Sequence, residues 1–151
     1  MKDLLSFQSS VPRNYQGTIS YEYCLENPLR QLEITLSYNH EKIQDPAVYL
    51  QKYRIFLTSR LEAYLGRKPS DIDLRQAMDH MKTEIQFALF MNGRFVCNIH
   101  KPGKTKKMVI TSSPENEGTV VKEIRGQIRI VVNVFAAIED DTVITLQVKG
   151  E

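Results

Sequence analysis

The chain has 151 residues, the usual size of one domain at ~100–200 residues per domain. The residues AVILMFWYC make up 42% and DEKR 25%, which excludes long disorder and a disulfide-dense scaffold. With 20 Lys and Arg against 18 Asp and Glu, the net charge of +2 is too small for bulk attraction to nucleic acid or a membrane surface, so any such role must come from a local patch.

No apolar run reaches the ~18–20 residues of a membrane span, and Met1-Lys2-Asp3-Leu4-Leu5-Ser6-Phe7 lacks the apolar stretch of a secretory signal. A soluble, cytoplasmic protein without a membrane role is expected. Cys24 and Cys97 lie in strand-like runs, where free cysteines behave as small buried hydrophobes, and there is no C-x-x-C.

Residues 1–16 show no sustained period and read as a flexible or late-docking N-terminal arm, leaving 17–151 as a single domain. From Thr18 the pattern has period two: Ile19, Tyr21, Tyr23 and Leu25 alternate with Ser20, Glu22 and Cys24. After Glu26-Asn27-Pro28, residues Leu32, Ile34, Leu36 and Tyr38 repeat the alternation, and the two strands are expected to pair as a hairpin.

Asp45-Pro46 is a helix start, because the Asp side chain accepts from a free first-turn N–H and Pro at the first helical position lacks an N–H that would be unpaired. Leu50, Tyr53, Leu57, Leu61 and Tyr64 recur at helical spacing until Gly66, so a helix over Pro46–Leu65 follows. Ser70, three residues before Asp73, resembles a capping box and opens a second helix carrying Leu74, Ala77, Met78 and Met81.

Residues 83–91 fit either a helix or a strand. Asn92-Gly93, followed by Arg94-Phe95-Val96-Cys97-Asn98-Ile99, favours a hairpin. Met108–Thr111 reads as a strand, Ser112–Gly118 as a polar loop and Thr119–Ile124 as a short strand. In Gln127–Ile138, Ile128, Ile130, Val132, Val134 and Ala136 share one face while Val131 and Phe135 add apolar bulk to the other, the pattern of a central strand. Gly126 marks a bend or bulge at its entry, and Val143–Lys149 is expected to pair back onto it after Glu139-Asp140-Asp141. The fold class is α+β: one mainly antiparallel sheet of about six to eight strands with two consecutive helices on one face, in the order ββαα and then a β-meander.

Motifs for chemistry are missing. Gly103-Lys104-Thr105 resembles the end of a phosphate-binding loop, but Asn98 stands where its leading Gly belongs and a strand follows. His40-Glu41, Asp79-His80 and His100 lack metal-ligand spacing, so neither a metal nor a cofactor is expected. Asp71, Asp73 and Glu139-Asp140-Asp141 sit at a helix start and a turn, where acids cap N–H groups or face water. Cys24 and Cys97 have no neighbouring base to make thiolate.

The one asymmetry is electrostatic. Ile85 to Pro114 holds no Asp or Glu, while Arg94, Lys101, Lys104, Lys106 and Lys107 form a cationic group for an anion or a partner. The function expected by elimination is a non-enzymatic protein-interaction or regulatory domain with a protein partner or a second copy of itself. The alternatives are nucleic-acid or phosphate binding through the loop 94–107, and a small-ligand pocket between helices and curved sheet.

Overall fold

Strict alternation in residues Gln31–Tyr38 shows how the core is made: Leu32, Ile34, Leu36 and Tyr38 are buried, while Glu33, Thr35 and Ser37 between them stay partly exposed. The computed structural model describes residues 1–151. Its strands are β1 (Lys2–Val11), β2 (Gly17–Leu29), β3 (Gln31–Tyr38), β4 (Glu84–Met91), β5 (Arg94–Ile99), β6 (Thr105–Thr111), β7 (Thr119–Val120), β8 (Ile124–Ala136) and β9 (Thr142–Gly150). Helices α1 (Pro46–Leu65) and α2 (Asp71–His80) lie between β3 and β4. Neither is long and apolar enough to cross a membrane.

The strands form two sheets, sheet A in the order β1-β9-β3-β6-β7 and sheet B in the order β2-β8-β4-β5. All pairings are antiparallel except the two-residue contact of β7 with β6. The inward rows of both sheets, including Leu36, Ile110 and Leu146 from A and Phe87, Leu89 and Val132 from B, merge into one core. Each such side chain stabilises the fold by about 1.5–3 kcal/mol relative to exposure. The class is therefore α+β and antiparallel, with the core between two sheets rather than beneath one.

Three expected pairings differ. β2 and β3 do not form a hairpin: β2 pairs with β8, and β3 pairs with β6 and β9. Only Arg30 separates them, so the chain turns a corner from one sheet to the other and adjacency in sequence does not become adjacency in a sheet. Likewise β9 does not return onto β8, because Ala137–Asp141 carries the chain across the ~10 Å between packed sheets. Residues 2–11, read as an arm, form β1 and pair with β9 along nearly their whole length. Polar Ser6, Gln8 and Ser10 alternate there with Phe7 and Ser9, too weak an apolar period to read from sequence. Phe7 stacks on Tyr21 of β2 at 4.7 Å between ring centroids, and Ser9 Oγ lies 2.6 Å from Tyr21 Oη, which closes that side of the sandwich.

The helices begin and end as their capping residues dictate. Asp45 accepts from the N–H groups of Ala47 and Val48, Gly66 stops α1 at φ 69°, and Ser70 with Asp73 completes the capping box of α2. They bury Tyr49, Tyr53, Leu57, Leu74 and Met78 in a second, smaller core. This pair docks on the turn after β8 at one end of the sandwich, instead of covering a sheet face, so the outer faces of both sheets stay open.

The opposite end is closed by the Asn92-Gly93 turn. Asn92 Nδ2 donates to Arg125 O and Asn92 Oδ1 accepts from Gln127 N–H, each at 2.9 Å, around Gly126 at φ 90°. A Cβ on Gly126 would run into the Asn92 carboxamide. Gly126→Ala is expected to cost about 1–3 kcal/mol through backbone strain and loss of this lock, read from the urea midpoint at unchanged slope. A midpoint equal to that of the unsubstituted chain would refute the assignment.

Candidate functional site

The five cations singled out by sequence do not form one patch. Arg94 is exposed at the start of β5, whereas Lys101 and Lys104 are exposed in the loop beyond its other end, about 17 Å along the strand at ~3.3 Å per residue. Lys107 faces outward on sheet A and its Nζ lies 2.6 Å from Glu33 Oε2. Lys106 is only 2% exposed, because its register opposite Leu36 puts it on the inward row with Met108 and Ile110. The strand was read as starting at Met108; its true start at Thr105 is what turns Lys106 inward. Lys101 and Lys104 remain as the loop's unpaired ammonium groups.

Buried Lys106 serves a polar junction at the helical end. Its Nζ donates to Gly103 O at 2.7 Å and to Tyr38 Oη at 3.3 Å. Burial pushes the ammonium's pKa down, opposed by the charges of Glu41 and Glu84. Burial, with the Glu41 charge adding to it, pushes the Tyr38 phenol up to about 12. Thr83 extends the junction, donating from Oγ1 to His40 O at 2.7 Å and accepting from Ile138 N–H at 3.2 Å. These bonds tie the ends of β3 and β8 and the starts of β4 and β6 to one point. The amine is thereby removed from solvent and from any substrate.

A second constellation fastens the helix pair. Tyr49 Oη donates to Ile138 O at 2.6 Å, and Tyr53 Oη donates to Glu139 Oε1 at 2.7 Å and Asp140 Oδ2 at 3.1 Å. Lys52 Nζ lies 3.3 Å from Glu139 Oε1 and 3.6 Å from Asp140 Oδ2. The Arg13 guanidinium lies over two rings of α1, 4.0 Å from the centre of Tyr53 and 4.2 Å from that of Phe56, while its backbone N–H donates to Asp140 Oδ1 at 3.0 Å. The acidic turn, expected to cap N–H groups or face water, does cap the Arg13 N–H through Asp140, and it also receives α1 through the Tyr53 hydroxyl and the Lys52 ammonium. Sequence reading passed over Arg13, since nothing in Pro12-Arg13-Asn14 signals its aromatic partners.

The remaining candidates have structural partners. Asp71 pairs with Arg54 at 3.3 Å, and Asp73 caps α2 and pairs with Arg67 at 2.7 Å. No three His, Cys, Asp or Glu side chains converge as a metal-binding group. Cys97 is half-buried, its Sγ 3.3 Å from Met108 Sδ; Cys24, expected to be buried, is exposed on the outward row of β2, and both are free thiols.

The outer faces of the two sheets differ in chemistry. Sheet A presents Glu33, Thr35, Ser37, Lys107, Thr145, Gln147 and Lys149, a solvated surface. Sheet B presents Ala88, Phe90 and Val131 at its centre, flanked by Phe95 at 59% and Phe135 at 50% exposure. Phe90 meets Phe95 edge-on at 5.7 Å, and Arg129 lies 4.7 Å above Phe90. Both apolar faces of β8 were legible in sequence, but only its inner one is covered.

Replacing Arg13 with Ala is expected to cost about 1–3 kcal/mol by removing two partly desolvated cation–π contacts, and Arg13→Lys to recover little because it lacks a planar guanidinium. Urea unfolding followed by tyrosine fluorescence measures both; equal stability of Arg13→Ala and the unsubstituted chain would refute the anchor. The Arg13 N–H, followed by the Tyr53 hydroxyl and the Lys52 charge, holds the Asp140 carboxyl below the usual carboxylate range. A group depressed on folding contributes stability that is complete above its unfolded pKa of about 3.9 and is lost as pH falls through the lower folded value. Asp140→Asn is therefore expected to flatten the acid limb of the stability curve, with an unaltered limb counting against this role.

No curated protein and no solved structure matches this chain. The model of a family of unknown function (DUF6669) matches residues 1–150, and the chain belongs to that family.

Proposed function

We propose that the protein is a non-enzymatic interaction domain that self-associates through the outer face of sheet B. The observation that carries this reading is the contrast between the two outer faces. An antiparallel sheet with one face in water alternates apolar-in and polar-out; sheet A does so apart from Val109 and Val143, whereas sheet B sets Ala88, Phe90 and Val131 together on its outer face between Gln86, Asn133 and Arg129.

The occupant we favour is a second copy, because the face is complementary to itself. Glu22, Arg129, Phe90 and Phe95 lie in one row across β2, β8, β4 and β5. A two-fold axis parallel to the strands, between β8 and β4, sets Val131 of one copy over Ala88 of the other and Arg129 over Phe90. It also sets Glu22 over Phe95. Such an interface is isologous and closed, so it ends at a dimer. The two unpaired cysteines, one of them exposed, fit a reducing compartment such as the cytoplasm.

Sedimentation across a concentration series tests the reading. A dimer is expected that Val131→Glu and Phe95→Glu each convert to monomer, with stability changed by less than about 0.5 kcal/mol because both side chains face outward. Arg129→Glu is expected to weaken the dimer by removing the cation set over Phe90 of the second copy. A monomer persisting to concentrations on the order of 100 μM would overturn self-association.

A further inference from the structure

Arg60 of α1, His80 in the last turn of α2 and Lys82 before β4 converge on a cleft of about 410 Å³ at the seam between the helix pair and sheet B. Its other wall is built from Asn14, Gln16 and the chain leaving β8 at Ala136, and no carboxylate lines it. The ion pairs of the fold engage the N-terminal ammonium, Lys52, Arg54, Arg67, Lys107 and Lys149, and none involves Arg60, His80 or Lys82. Basic groups gathered in a concavity without acids focus positive potential there.

The cleft is braced. Asn14 N–H donates to Ala137 O at 2.8 Å, and Gln16 Nε2 donates to Phe135 O at 3.0 Å. His80 Nδ1 is 2.7 Å from Gln76 O, which fixes the ring and leaves Nε2 unengaged. A further cation stands close by: Arg60 lies 5.5 Å from the centre of the Phe56 ring, and Arg13 lies 4.2 Å from the same ring with its Nη1 shut from solvent and without an acceptor.

We propose that this cleft binds a small phosphate-bearing molecule. The guanidinium of Arg60 and the ammonium of Lys82 together offer more donors than the two oxygens of one carboxylate accept, and the free Nε2 of His80 can accept from a protonated phosphate oxygen. A phosphoryl group supplies three oxygens and a charge of about −1.5 to −2. The volume suits a small molecule rather than a polymer. The site is separate from Lys101 and Lys104, and it stands whether or not the chain dimerises.

Calorimetric titration of the full chain with inorganic phosphate and with glycerol phosphate, at constant ionic strength against chloride and acetate, tests the proposal. Saturable binding is expected for both phosphate species and not for the controls. Arg60→Gln and Lys82→Gln are each expected to weaken it about tenfold or more, while Lys101→Gln leaves it unchanged. Lys82 is exposed, so its variant keeps the test open if Arg60→Gln fails to fold. No saturable binding, an equal response to chloride, or binding that survives both substitutions would overturn the site. Loss on Lys101→Gln alone would move the anion to the loop and overturn it equally.

Discussion

A central strand has two faces, and one core can bury only one of them. In β8 the row Ile128, Ile130, Val132 and Val134 is buried against sheet A, and that burial sets the register of its neighbours β2 and β4. A slip of one residue would exchange this row for Arg129, Val131, Asn133 and Phe135 and put a cation and an amide into the core. The register is therefore fixed, and with it the composition of the outer face. The apolar side chains left outside follow from the same constraint that makes the fold unique.

The helix pair is held differently. Its own core is five buried side chains, and its connection to the sandwich runs through tyrosine hydroxyls, the carboxylates of the turn after β8 and one stacked arginine. Directional bonds of this kind contribute about 1 kcal/mol each, less than a buried aliphatic side chain. The seam between helices and sheet is accordingly the part of the molecule whose opening exposes the least apolar surface, and local opening there is less costly than opening between the sheets. The cationic cleft lies along this seam. An anion bridging Arg60 of α1 and Lys82 ahead of β4 would tie the two bodies together where the fold itself supplies few contacts.

Elements whose cause is local were legible in the sequence. Asp45-Pro46 and Gly66 bound α1, Ser70 with Asp73 starts α2, and Asn92-Gly93 makes its hairpin, because each signal acts within a few residues of itself. Pairing between distant strands was not legible. The move of the chain from β2 to β3 through Arg30, and from β8 to β9 through Ala137–Asp141, depends on two sheets sharing one core, which no short window encodes. The same holds for sites. A run of lysines within Lys101–Lys107 is conspicuous on paper, but the pleat turns Lys106 inward and Lys107 toward Glu33. Arg60, His80 and Lys82 are scattered through two helices and a connection, and only the packing of α1 on α2 collects them.

β8 also joins the open face to the cleft. Phe135 stands on the outer face at 50% exposure, its carbonyl accepts from Gln16, and the next residues, Ala136 to Ile138, form the cleft wall. Ile138 in turn donates its N–H to Thr83 and accepts from Tyr49. The segment is held at successive residues, Phe135 by Gln16, Ala137 by Asn14 and Ile138 by Tyr49 and Thr83, so its position is shared between the sheet side and the helix side. Coupling of this kind requires that ligand and partner bind the two positions of the segment with different affinities, and by linkage each would then alter the other's binding by the same factor. Gln16→Ala removes the side-chain bond between wall and strand without touching either the cations or the aromatic row. Because Gln16 also lines the cleft, the discriminating comparison is phosphate affinity in monomer and dimer: a change confined to the dimer reports a shared support, and an equal change in both reports only the lost wall contact.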